Sequence, residues 1–196
     1  MVKFRSQEAS LFSTPLWNII TEGIDNQELV DYAYYLQKNT EGVVISNRGG
    51  WHSNNFIEPY PNAIHQLMDS VLDFANRYCS QITNIDDLMI GNWWVNINSK
   101  GHYNEQHDHQ GAILSAIYYA KVSAPNTGKL VLHRDDTSTF FLGKHRGTSE
   151  FSHQHFTVEP KEGSLVVFPA WTKHSVEQNE SDTDRVSIAI NIVPKK

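Results

Sequence analysis

Apolar and polar positions along this chain change period once, near residue 87. Before that point the apolar residues recur at helical spacing. In "DNQELVDYAYYLQKN", residues 25–39, Leu29, Tyr32, Ala33 and Leu36 fall at i, i+3, i+4 and i+7, and Asp25 and Glu28 have capping-box spacing. A second helix is predicted from Asn62, just after Pro61, with Ile64, Leu67, Met68, Val71, Leu72, Ala75 and Tyr78 on one stripe. Both helices are one-sided and need a sheet to cover. Ahead of them "LFSTPLWNII" reads as an early strand, with Pro15 placing it at an edge or bend.

From Leu88 the pattern is that of strands. "MIGNWWVNINS", "AILSAIYYAKV", "KLVLHRD", "HFTVEP", "SLVVFPA", "HSVEQ" and "RVSIAINIV" read as strands, joined by "SKGHYN", "SAPNTG", "PKEG" and "NESDTD". Helices followed by seven or so short strands predict an α+β, mainly β chain. Its β part is expected to be a double-sheet jelly roll with the N-terminal helices packed on one sheet. With no repeat or linker in 196 residues, one domain over 1–196 is expected, 1–87 forming its helical part and 88–196 its jelly-roll core.

Composition narrows the function classes. A formal net charge of -6 without a lysine or arginine block argues against stable nucleic-acid binding. Cys79 is the only cysteine, so no disulfide within the chain is expected. No segment has the length of apolar sequence needed for a signal or a membrane span, which makes a cytoplasmic protein without membrane partners the expectation. The ten histidines are the oddity.

Candidate chemistry collects around "NEQHDHQG", residues 104–111, directly ahead of a core strand. In extended chain His107 and His109 share one face and Asp108 takes the other, so two imidazoles can grip one ion. His174, after the buried "SLVVFPA" strand and its turn, is the best third ligand. Arg185 heads an otherwise apolar strand and must be paired if buried. Its planar fork suits a carboxylate, to which Ser187 on the same face could add a hydroxyl. The alternative for Arg185 is a structural ion pair with Asp182 or Asp184.

The histidine pair, the distal histidine and the R-x-S that follows resemble the 2-oxoglutarate and iron(II) dependent oxygenases. "GGWHS", "HDHQGAILSAIYYA", "FPAWTKHSV" and "RVSIAIN" look closest to a bacterial and phage group of that class, a resemblance running from "LFSTPLW" to the C-terminus. It implies a double-stranded β-helix, Fe(II) held by His107 and His174, and 2-oxoglutarate anchored through its C5 carboxylate by Arg185 with Ser187. It also implies O₂ as a reactant, succinate and CO₂ as products, and hydroxylation of a small-molecule or peptide substrate. Expression from a phage would place the protein in the host cytoplasm. Most of the superfamily has a carboxylate where this chain has His109, which removes one negative charge. Either three neutral imidazoles hold the metal, the reading that strand parity favours, or water or an acid such as Asp108, Asp135 or Asp136 replaces His109.

Tyr118 and Asn96 are further candidates to orient 2-oxoglutarate, and Tyr103, Asn98 and Trp171 to line a substrate pocket. His153 and His155 repeat the i, i+2 spacing but sit beside an irregular loop. His133 and His145 read as surface or lid residues and His52 as an entrance residue. Two rivals stay open: a cupin-like three-histidine dioxygenase that uses no keto acid, and a non-catalytic jelly-roll virion or scaffold protein. Edge strands and the N-terminal helices offer surfaces for a homodimer.

Overall fold

A computed structural model describes residues 7, 13–79, 85, 87–135 and 153–195. The chain forms β1 (Trp17–Ile20), α1 (Asn26–Asn39), β2 (Asn47–Arg48), β3 (Trp51–His52) and α2 (Asn62–Phe74), followed by β4 (Leu88–Asn98) and β5 (Tyr103–His107). Next come β6 (Leu114–Val122), β7 (Leu130–His133), β8 (His155–Val158), β9 (Ser164–Pro169), β10 (His174–Val176) and β11 (Arg185–Pro194). Two antiparallel sheets result, one of six strands in the order β1-β9-β6-β11-β4-β3 and one of five in the order β2-β5-β10-β7-β8. This is the expected jelly roll, with β1 at an edge as Pro15 required.

Helix α1 starts at the predicted cap, where the Asp25 side chain accepts from Glu28 N–H. Glu28 does not close the capping box. Its carboxylate instead accepts from Ala63 N–H, 2.7 Å away at the start of α2, where Pro61 provides no side-chain cap of its own. One acid thus ties the two helices together. Beyond Phe74 the helix widens into a π turn, Ala75–Cys79, which keeps Ala75 and Cys79 buried but throws Tyr78, placed on the stripe by its spacing, out to solvent.

Both helices cover the outer face of the six-stranded sheet. Leu29, Leu36, Ile64, Leu67 and Val71 pack there against Trp93, Val95, Ile97, Tyr118, Ile188 and Ile190. A smaller cluster fills the space between the sheets, with Ile117, Tyr119, Val166 and Phe168 facing Leu130, Leu132 and Val158. Complete burial of each large branched side chain contributes about 1.5–3 kcal/mol, so the helix-covered face dominates stability. The elements that hydropathy alone did not predict are β2, β3 and β5. The last, "YNEQH", has polar residues on both faces and carries no alternation to read.

Candidate metal centre and cleft

Three adjacent strands, β4, β11 and β6, form the floor of a cleft between the sheets. Register sets their inward side chains in rungs: Asn92, Asn191 and Ser115; then Trp94, Ala189 and Ile117; then Asn96, Ser187 and Tyr119; then Asn98, Arg185 and Val122. The intervening residues of β11, Val186, Ile188, Ile190 and Ile192, point into the helix-covered core. Period two therefore separates a chemical face from a structural one on a single strand.

Above one end of this floor stand three histidines. His107 closes β5 and His174 opens β10, directly opposite it in register. His109 lies two residues past β5, outside the strand, and its N–H donates to Ala170 O at 3.1 Å, which pins it to the turn after β9. Ring centroids are 4.3 Å apart for His107 and His174, 4.9 Å for His109 and His174, and 5.2 Å for His107 and His109. One ligating nitrogen from each lies within 4.8 Å of the others.

Each ring has its Nδ1 engaged. His107 donates to Glu105 O at 2.8 Å, His174 to Thr172 O at 2.9 Å, and His109 to Asn191 Oδ1 at 2.6 Å with Ser115 Oγ at 2.5 Å. Carbonyl oxygens only accept, so Nδ1 carries the hydrogen and Nε2 keeps its lone pair, the form a metal needs. Burial, reinforced by His107, pushes His174 down to about 3 and His109 down to about 4; burial also lowers His107. All three are therefore neutral near pH 7. Among the described residues no acid joins this donor group: Asp108 is not part of it, and Asp135 pairs with Lys173 at 2.9 Å. Asp136 lies outside the described residues. Three convergent, neutral imidazole nitrogens fit a first-row divalent ion such as iron(II).

At the other end lies Arg185, 2% exposed. Its Nη1 donates to Thr127 O and Gly128 O, both at 2.7 Å, and its Nε has no partner among the described residues. The acids proposed as ion-pair partners are engaged elsewhere: Asp182 with Lys100 at 2.7 Å, and Asp184 as acceptor from Tyr34 Oη at 2.8 Å. Burial lowers the guanidinium below its ordinary value. The approach of the loop to Arg185 depends on Gly128, at φ +87, where a Cβ would lie 2.1 Å from Glu177 O and 3.0 Å from Arg185 Nη1. Asn96 Oδ1, also buried, has no partner among the described residues. A cleft joins both ends, and the described side chains lining it include no carboxylate.

Other sequence candidates offer no free group to the cleft. Tyr118 does not face it; its hydroxyl is on the helix side, donating to Asn26 Oδ1 at 2.6 Å. Its neighbour Tyr119 occupies the position expected of it, because both faces of β6 are buried and hydropathy cannot choose between two adjacent tyrosines. Trp171 is 62% exposed and Tyr103 38%, and neither lines the cleft. Asn98 is buried but structural: its amide donates to Asn104 Oδ1 and its carbonyl accepts from Asn179 Nδ2. His52 is no entrance residue; it is buried and stacked on Trp94, which in turn touches His109. His133 bonds Ser175 Oγ and faces His155 across β7 and β8, His153 and His155 are exposed, and His145 lies outside the described residues. The sequence reading also missed Ser115 and Asn191. Arg185, Ser187, Ala189 and Asn191 at every second position were the available signal.

A family model described as "Putative 2OG-Fe(II) oxygenase" matches residues 92–191, just over half of the chain. The protein belongs to this family of 2-oxoglutarate and iron(II) dependent oxygenases, and iron(II) and 2-oxoglutarate are its cofactor and cosubstrate. Solved structures with the same fold include a Pseudomonas putida prolyl-4-hydroxylase, at TM-score 0.68 and 15% identity, with 94% of this chain and 95% of that one covered. The viral collagen prolyl hydroxylase of Paramecium Bursaria Chlorella virus-1, in complex with 2OG, aligns at TM-score 0.62 and 15% identity over 92% and 96%. The epimerase SnoN from nogalamycin biosynthesis, complexed with Fe3+, alpha ketoglutarate and nogalamycin RO, aligns at 0.67 and 14% over 91% and 78%. No curated protein matches by sequence. Among the described residues no helix is long and apolar enough to cross a membrane.

Proposed function

We propose that this oxygenase hydroxylates a small-molecule or peptide substrate, releasing succinate and CO₂, with His107, His109 and His174 as its metal ligands and Arg185 as the anchor for the distal carboxylate of 2-oxoglutarate. The observation that carries the reading is Arg185: a buried cation with no acid partner among the described residues, in the same cleft as three imidazoles with free Nε2 atoms. Leaving such a cation unpaired is costly, and a carboxylate ligand removes the cost while accepting two hydrogen bonds. Ser187 and Tyr119 flank that position on the neighbouring rung and contribute hydroxyls; Asn96 offers an amide with an unsatisfied oxygen.

Iron(II) with 2-oxoglutarate supplies the activation of O₂ and the oxidation of a C–H bond. The chain supplies the rest. The three Nδ1 bonds hold the imidazoles in the ligating tautomer, Arg185 fixes one end of the cosubstrate, and Trp94 and Ile117 keep the middle of the floor dry. One titration tests the role of Arg185. Calorimetry of 2-oxoglutarate into the Mn(II)-loaded protein is expected to show one site, weakened roughly thirtyfold or more by Arg185→Ala with Mn(II) content unchanged. Binding indifferent to Arg185 would overturn its assignment as the anchor.

A further inference from the structure

The three histidines are not held alike. His107 and His174 each bond a main-chain carbonyl two residues away in their own segment, so any sequence with this backbone would orient them. His109 has left its strand and relies on side chains of the opposite sheet. Asn191 Oδ1 is 2.6 Å from its Nδ1, and Asn191 Nδ2 donates to Asn92 Oδ1 at 2.9 Å. Asn92 Nδ2 reaches on to Asn55 Oδ1 at 3.4 Å, and Ser115 Oγ lies between the ring and Asn191. Asn92, Asn191 and Ser115 form one rung across three strands, at the bulge of β11. The donation to Asn92 fixes which end of the Asn191 amide faces the ring. That end is an oxygen, which can only accept.

We infer that Asn191 is the positioning residue for His109, holding it as the Nδ1–H tautomer so that a histidine can serve where a carboxylate would need no such help. Ser115 Oγ accepts from the same N–H and donates its own O–H to Asn191 Oδ1 at 3.4 Å. The amide is neutral, so it orients the ring without adding charge to the cleft. Partners of this kind are worth roughly ten- to a hundredfold in metal affinity.

This inference rests on His109 being a ligand, and the experiment separates the two claims. Co(II) is titrated into the full chain and followed by its ligand-field absorption, for wild type, His109→Ala, Asn191→Ala and Asn191→Asp. Asn191→Ala is expected to lose about tenfold or more in Co(II) affinity and to shift the spectrum, while Asn191→Asp, which keeps an acceptor, restores both. Weakened binding in His109→Ala with unchanged affinity and spectrum in Asn191→Ala overturns the inference and leaves the ligand set standing. Unchanged binding in His109→Ala overturns both. Nitrogen-15 spectra of the metal-free wild-type protein give a second readout that does not depend on any variant folding. They are expected to show His109 protonated at Nδ1, and protonation at Nε2 would overturn the inference.

Discussion

The two faces of β11 behave as different materials. Val186, Ile188, Ile190 and Ile192 meet complementary apolar surface from the helices and are fully satisfied by the protein itself. On the reverse face Arg185 has no acid partner among the described residues, and Asn191 divides its amide between His109 and Asn92. The helix-facing residues therefore specify the fold, whereas the cleft-facing ones serve the site, and on our reading Arg185 is completed only by a ligand. Substitutions on the two faces should therefore be separable by measurement.

The largest expected effect lies on the structural face. Ile190→Ala should cost about 2–5 kcal/mol, and at about 2–4 °C per kcal/mol thermal denaturation would report a large fall in Tm. Metal stoichiometry of the folded fraction is expected to stay intact. On the chemical face the pattern inverts: Arg185→Ala should lose about 2 kcal/mol or more of 2-oxoglutarate binding by calorimetry, with little change in the Tm of the ligand-free protein. A large destabilisation in the second variant would break the comparison.

Acid should act through the chemical face as well. Below the ordinary histidine value of 6.5 the unfolded chain takes up protons that the folded site refuses, down to about 4 at His109 and about 3 at His174. The folded pKa values are depressed, so this contribution is complete above pH 6.5 and is lost as pH falls through that window. A fall of a few degrees in the Tm of metal-free protein between pH 7 and pH 5 is expected, reduced in His174→Gln. The smallest and sharpest contrast concerns two adjacent tyrosines. Tyr118→Phe should cost about 1 kcal/mol in urea denaturation and leave cosubstrate affinity alone, while Tyr119→Phe should weaken 2-oxoglutarate a few-fold.

Much of this was legible because apolar periodicity is a local property. The helices, the long strands and the jelly roll followed from it; His107 and His109 stood out as a spaced pair just ahead of a core strand, His174 just after one, and Arg185 as a lone cation heading an apolar strand. What escaped depends on partners distant in sequence. Asn98 looks like a cleft residue until Asn104 and Asn179 are seen to occupy it, and Tyr118 and Tyr119 differ only in which neighbour covers each face. Trp171 looks like a wall and stands in solvent, since the turn that carries it follows β9 out of the sheet. Strand β5 was missed for a related reason: its pairing with β2 and β10, not its own composition, makes it a strand.

Gly128 carries a consequence for how the sequence can vary. In the turn before β7, any side chain at 128 would strike Glu177 O and crowd the Arg185 guanidinium. A Gly128→Ala protein would keep its histidines and its helices yet prise the loop from Arg185, and the injury would surface as poorer discrimination between dicarboxylic and monocarboxylic keto acids.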